Sequence, residues 1–332
     1  MNNQKDLKNR CLVLGIDGGG SKTACALMDL QGTILAHREG IGTSYRQYGM
    51  DAVINTICSL RDDCLADASA SREQLCAVCA GLPGYGEHSQ MDKEMLNRLQ
   101  TIFPYFLLVN DVYVGWAGSL ALKSGINLVS GTGSIAFGMD TAGKSARSGG
   151  WCEYFGDEGS SYWLAIRGMQ LFTKQSDYRV PRGPLYDIVK KEFSLDDDFE
   201  FITHMEKDYI PYRDKVASFH YLVAEAARQG DTAVIRLYDE AATELAQIVR
   251  SVREQIGNPK DCKIVSYSGG TFRVGGFLLN PLRRQIEKMD MFLEPPVYSP
   301  VIGALLLAVK EMKPNHLKDV LKGLKKAECS FE

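Results

Sequence analysis

The amino-acid sequence predicts an α/β protein of two domains, and three observations carry that expectation. Short apolar runs such as CLVLGID (11–17) and INLVS (126–130) stop abruptly at glycine-rich turns, which is strand chemistry. Between such runs lie longer segments whose apolar residues recur at three- and four-residue steps, the period of a helix buried on one face. At 332 residues the chain has room for about two domains of ordinary size.

Taken in order, CLVLGID, TACALMDL and TILAHRE read as three strands broken by Gly18-Gly19-Gly20 and Gln31-Gly32, an antiparallel meander. A helix near 48–68 leads to the strand LCAVCAGL (75–82), and a second helix over 90–101 leads to FLLVND (106–111). Strands joined through helices make an α/β layer. An Ala- and Gly-rich helix at 112–122 then leads away. The second unit opens with INLVSGTGSIAFGMD (126–140), strand, glycine turn and strand. Residues 157–256 read as mostly helical, most clearly from Thr232 to Ile256, where Val234, Leu237, Tyr238, Ala241, Leu245, Ile248, Val249, Val252 and Ile256 share one face. The strand KIVSYS (263–268), a Gly-Gly turn, a helix at 274–288, the short strand MFLEP and a helix at 300–313 complete it. The predicted domains are 1–115 and 116–313, with a tail, 314–332, packing on the first.

Lys plus Arg number 38 against 41 Asp plus Glu, so the chain lacks the basic footprint of nucleic-acid binding. Near-average apolar and charged content argues against disorder. No segment has the length of a membrane span, and CLVLGID is too short for a signal core. Nine cysteines without repeated spacing suit reduced thiols in the cytoplasm; Cys76 and Cys79 form a CxxC inside an apolar strand and read as buried small hydrophobes.

Two near-motifs fail on context. Gly15–Thr23 resembles a P-loop, but the order is Ser21-Lys22 and a strand follows; Gly131–Ala136 fits GxGxxA, but no helix opens there. What remains is a pair of hairpin turns, DGGGSKT and SGTGS, each able to offer backbone N–H groups to a phosphate. Asp17 ends a strand beside the first turn. A carboxylate aimed at phosphates implies an intervening divalent cation, Mg2+. Asp111 closes FLLVND before a helix, which suits either a general base toward an acceptor hydroxyl or a plain helix cap. Trp151 beside Asp157 is a sugar-binding pairing, although Asp157 or Glu158 could equally cap the helix that follows.

DGGGSKT (17–23), SGTGS (130–134), GGWxxxxGDEGS (149–160), AEAARQGD (224–231) and SGG (268–270) together resemble the N-acetylglucosamine kinase family. That family falls in the benzoyl-CoA reductase activator type ATPase group, within the sugar kinase, actin and heat-shock chaperone superfamily. The resemblance spans about residues 12–310. It implies two ribonuclease H-like (actin-like ATPase) domains with a nucleotide cleft between them; the expected assembly is a homodimer. It assigns Asp17, Gly19, Gly20 and Ser21 to the first phosphate motif, with Lys22 next in the turn and Asp17 the metal-binding candidate. Thr132 and Gly133 fall in the second, and Gly269 and Gly270 in the adenosine motif. Asp111 matches the catalytic base, and Ser44, Asn110, Gly150, Trp151 and Asp157 match sugar contacts. The expected partners are therefore ATP and a small sugar, with neither nucleic acid nor membrane.

This chain departs from the human-type members at Ser44 (Asn there), Pro83 (Ser), Ile135 (Asn) and Cys152 (Gly), all around the sugar pocket by that correspondence. The leading expectation is phosphorylation of the 6-hydroxyl of N-acetylglucosamine, with glucosamine or N-acetylmuramic acid as alternatives. A second class is an activator ATPase coupling ATP hydrolysis to iron–sulfur electron transfer, which needs cluster cysteines in exposed loops. A third, a nucleotide-dependent regulator, would not need Asp111, Trp151 and Asp157 together.

Overall fold

The computed structural model describes residues 10–257 and 261–328. Cys329 and the residues before Arg10 lie outside that range. The chain divides into two compact units, one built from residues up to Lys123 together with Pro296 onward, the other from Ser124–Pro295.

The first unit follows the predicted meander: β1 (Leu12–Gly18), β2 (Lys22–Asp29) and β3 (Ile34–Ile41) pair antiparallel, as the short turn at Gln31-Gly32 demands. Helix α1 (Met50–Asp67) leads to β4 (Leu75–Leu82), and α2 (Ser89–Ile102) to β5 (Phe106–Asn110). Both strands join in parallel, giving the order β3-β2-β1-β4-β5. Side chains alternate across β1: Leu12, Leu14 and Ile16 enter one core with Val53, Ile57 and Leu60 of α1 and Met95 and Leu99 of α2.

Gly15, on the opposite face of β1, meets a helix from the far end of the chain. An added Cβ there would lie 2.8 Å from Leu305 Cγ. The predicted assignment of the 300–313 helix to the second unit is therefore corrected. Helix α3 (Asp111–Ser119) and α9 (Pro300–Met312) cross closely, because a Cβ on Gly303 would stand 2.0 Å from the Val114 carbonyl oxygen. A helix buried on nearly every face carries no periodicity that says which sheet it covers. α10 (Leu317–Glu328) follows, and Gly323 approaches the Gln31 carbonyl between β2 and β3.

In the second unit β6 (Gly125–Ser130), β7 (Ser134–Met139) and β8 (Ser145–Gly149) form another antiparallel meander. β9 (Ile264–Ser268) and β10 (Phe292–Glu294) add in parallel beside β6, so the order β8-β7-β6-β9-β10 repeats that of the first unit. Between β8 and β9 lie α4 (Ser161–Ser176), α5 (Pro184–Glu192), α6 (His220–Arg228) and α7 (Thr232–Ile256); α8 (Gly276–Glu287) precedes β10. α7 is the long helix read from periodicity. Asp231 caps its start by accepting from the Ala233 and Val234 amides, and Gly257 ends it at φ 74°. Its apolar face packs with Ile126 and Leu128 of β6.

The cysteines differ from expectation. Cys11 and Cys76 are joined as a disulfide, their Cα atoms 5.6 Å apart. Cys76 is the residue skipped where the β1–β4 register shifts, between the Leu12–Leu75 and Val13–Ala77 pairs, and Cys11 immediately precedes β1. Cys79 is buried, as read.

Candidate functional site

In the first unit three parallel strands end side by side. Asp17 pairs with Gly81 across β1–β4, and Gly81 with Val109 across β4–β5. That carboxyl edge, where α/β sheets place ligands, carries Asp17, Asn110 and Asp111. Asn110 caps α3: its Oδ1 accepts the Val112 amide at 3.1 Å, and its Nδ2 donates to the Tyr85 carbonyl at 2.7 Å. Asp111 is consequently the first helical residue, its own Oδ1 3.0 Å from the Val112 nitrogen. The cap reading left open for Asp111 belongs to its neighbour.

Burial, together with the negative Asp111 and against the opposing Lys22, pushes the Asp17 pKa up to about 7. Lys22 is exposed and pairs with Glu39 at 3.0 Å. In the turn itself the Gly19 amide donates to the Lys22 carbonyl at 2.8 Å, and the Gly19 carbonyl accepts from the Thr43 amide at 3.0 Å. Thr43 and Thr23 hydroxyls, both buried, lie 3.1 Å apart behind the turn. Gly20 and Ser21 are exposed. Ser44 occupies the N-cap position of the helical turn Tyr45–Tyr48 but makes no side-chain cap bond.

In the second unit the turn between β6 and β7 is closed by the Gly131 amide donating to the Gly133 carbonyl at 2.9 Å. Ser130 Oγ donates to the Gly159 carbonyl at 3.0 Å and Ser134 Oγ to the Glu158 carbonyl at 2.7 Å, tying the turn to the GDEGS run. Asp157 lies beneath it, buried. One carboxylate oxygen accepts the Ser134 amide at 3.1 Å and the other the Arg213 guanidinium at 2.6 Å, which also holds Glu153 at 2.9 Å. Burial raises the Asp157 pKa against the lowering effect of those partners. The helix after GDEGS is capped by Ser160 through the Trp163 amide, so neither Asp157 nor Glu158 fills the capping role expected of them. A Cβ on Gly133 would meet both Asp157 oxygens at 2.8 Å, which is why glycine stands there.

Gly269 and Gly270 are exposed just after β9. Gly269 adopts φ 110°, and a Cβ there would fall 2.2 Å from the Ser130 carbonyl oxygen. Thr132–Gly133 and Gly269–Gly270 thus belong to one assembly. Trp151 is 70% exposed, and Tyr154 and Phe155 beside it are exposed too. The loop holding it takes left-handed backbone at Gly149, Gly150, Cys152 and Asp157. Cys152, at φ 105°, sits where the resembling family has glycine, a conformation that costs a residue with a side chain roughly 1–3 kcal/mol.

Several side chains of these clusters gave no sequence signal. Arg213 comes 56 residues after its partner Asp157. Thr43, Glu153, Ser161, His220 and Thr271 are likewise united only by folding.

The chain matches the BadF/BadG/BcrA/BcrD ATPase family over residues 14–308. It is 28% identical to an N-acetylmuramic acid/N-acetylglucosamine kinase of Clostridium acetobutylicum, over 82% of this chain and 89% of that protein. It is 26% identical to an N-acetyl-D-glucosamine kinase of Dictyostelium discoideum, over 91% of this chain and 99% of that one. Among solved structures, a Chromobacterium violaceum protein carrying a provisional N-acetylglucosamine kinase name superposes with a TM-score of 0.75 at 26% identity, covering 90% of this chain and 99% of that chain.

Proposed function

Because the chain belongs to the BadF/BadG/BcrA/BcrD ATPase family, we propose that it is an ATP-dependent kinase acting on the 6-hydroxyl of an amino sugar. The observation that carries the reading is the pair Asp17 and Asp111 at the carboxyl ends of parallel strands, with helix capping left to Asn110. Phosphoryl transfer asks little covalent chemistry of a protein. It asks for a base at the acceptor hydroxyl, in-line positioning and compensation of phosphate charge. Asp111 takes the hydroxyl proton, and Asn110, fixed between Tyr85 and Val112, orients the neighbouring backbone.

Asp17 suits a divalent cation. Burial and the neighbouring Asp111 carboxylate both disfavour its negative charge, which a cation would offset, and Lys22, the cation that opposes the shift, is engaged by Glu39. Mg2+ held there through waters would supply neutralisation of phosphate charge. Gly19, Gly20 and Ser21 contact phosphate in this reading, as do Thr132 and Gly133, while Gly269 and Gly270 contact the nucleoside. Lys22 joins them when it leaves its exposed partner, a pair of small energetic weight.

N-acetylglucosamine is the leading acceptor, supported by the names of the two relatives, with N-acetylmuramic acid and glucosamine next. Ser44 is shorter than the Asn of the resembling family, and Pro83 offers no side-chain hydrogen bond. Both leave room for a 3-substituent. The exposed ring of Trp151 is available to a pyranose face. Asp157 has both oxygens engaged, so its part in sugar binding is to shape the loop that carries Gly150 and Trp151. The reading includes a cytoplasmic homodimer. An activator ATPase is less favoured, since it needs cluster cysteines in exposed loops and the free cysteines among the described residues are buried or half-buried.

ADP release measured across amino sugars, plain hexoses and non-sugar alcohols tests the proposal. An amino sugar should give the highest kcat/KM, with phosphate on the 6-oxygen of the product. A tenfold preference for glucose or a non-sugar alcohol would refute it.

A further inference from the structure

Behind the β6–β7 turn runs a chain of polar contacts drawn from four separate elements. Tyr238 of α7 places its hydroxyl 2.8 Å from His220 Nε2 of α6. His220 Nδ1 is 3.4 Å from Ser161 Oγ at the start of α4. Ser161 Oγ lies 2.8 Å from Thr271 Oγ1, which stands 3.2 Å from the Gly131 carbonyl oxygen. That same carbonyl accepts the Ser161 amide at 2.8 Å. Tyr238 and Thr271 are fully buried and His220 nearly so.

The direction of every bond follows from the last one. A carbonyl only accepts, so Thr271 must donate to Gly131. Its oxygen then accepts from the Ser161 hydroxyl, whose oxygen in turn accepts from His220. The imidazole therefore carries its proton on Nδ1, and Nε2 accepts from the Tyr238 hydroxyl. Burial keeps the imidazole neutral, with its pKa held down to about 4, so the chain has one donor pattern through the physiological range.

We propose that Tyr238, His220, Ser161 and Thr271 are positioning residues that fix the Gly131–Gly133 turn to the Gly269–Thr271 segment, setting both nucleotide-contacting stretches in one geometry. The inference rests on the reading that these turns bind nucleotide. Thr271 is the joint: its backbone continues Gly269–Gly270, and its hydroxyl holds the carbonyl of the phosphate turn. A turn held from behind presents its outward amides without ordering cost at the moment of binding.

The test uses the full chain, with ADP as the probe and no sugar present. Thr271→Val removes the hydroxyl with little change of shape, and Ser161→Ala breaks the next link. Both should weaken ADP binding about tenfold, and in a separate turnover assay with ATP and sugar the KM for the sugar should stay within twofold; Thr271→Ser, which keeps the hydroxyl, should restore most of the ADP affinity. Unchanged ADP affinity in Thr271→Val, beside a wild-type protein that binds ADP, would overturn the proposal and leave the kinase reading standing. A wild-type protein that binds no ADP would overturn both. Nitrogen-15 NMR of the wild-type protein gives a readout free of any folding defect: His220 should carry its proton on Nδ1, and a proton on Nε2 would contradict the relay.

Discussion

The two units build the same five-stranded order and then use their hairpin turns differently. In the first, the carboxylate beside the turn is Asp17, whose negative charge is disfavoured by burial and by Asp111. In the second, the carboxylate under the turn is Asp157, engaged by a backbone amide and by Arg213. In the proposed reading, one scaffold thus holds a carboxylate that serves ligand chemistry and another that serves architecture. A buried carboxylate with its partners in place is a brace; one without them is available to a cation or a proton.

The contrast is broken most sharply at Asp17. Asp17→Ala should lower turnover by roughly 10²–10³-fold while ADP still binds through the turn backbones. Unchanged turnover and unchanged Mg2+ dependence would move the metal role elsewhere.

On the second unit's side, Gly133→Ala pushes a methyl group into the Asp157 carboxylate and should cost about 1–3 kcal/mol of stability together with weaker ATP binding. Thermal unfolding and nucleotide titration check this. A neutral outcome would mean that the brace yields freely. Asp157→Ala in the same background should recover part of the loss, since it removes the clash.

The pH dependence of stability sharpens the comparison in the second unit alone. His220 has a folded-state pKa of about 4 against an ordinary 6.5, so the unfolded chain binds more protons between those values. Its contribution is fully present above pH 6.5 and is lost as the pH falls toward 4, at most roughly 3 kcal/mol. Denaturant midpoints should fall over that window in the wild-type protein and fall less in His220→Phe. Equal slopes would show that the imidazole titrates normally.

Much of this was legible in the sequence, for local reasons. The β1–β3 meander follows from turn residues between apolar runs, and α7 from a 25-residue periodicity with Asp231 and Gly257 at its ends. What escaped was long-range. Pro300–Met312 is apolar enough to be buried against any surface, and only the fold returns it to β1. The repeated strand order has no sequence echo, because strand order is set by pairing rather than by composition. Cys11 and Cys76 are 65 residues apart and meet only in the fold. At the site, Asp17 and Asp111 were visible as strand ends, whereas the capping of α3 by Asn110 and the brace on Asp157 needed three-dimensional partners.

The most direct measurement is kcat for Asp111→Asn on the best amino sugar. Asn keeps the shape and removes the base, and because Asn110 already caps α3 the unfolding temperature should barely move. The account predicts a loss of roughly 10²–10⁴ in kcat with the sugar KM changed far less. A variant that retains more than about a tenth of the wild-type rate would contradict the assignment of Asp111 as the base.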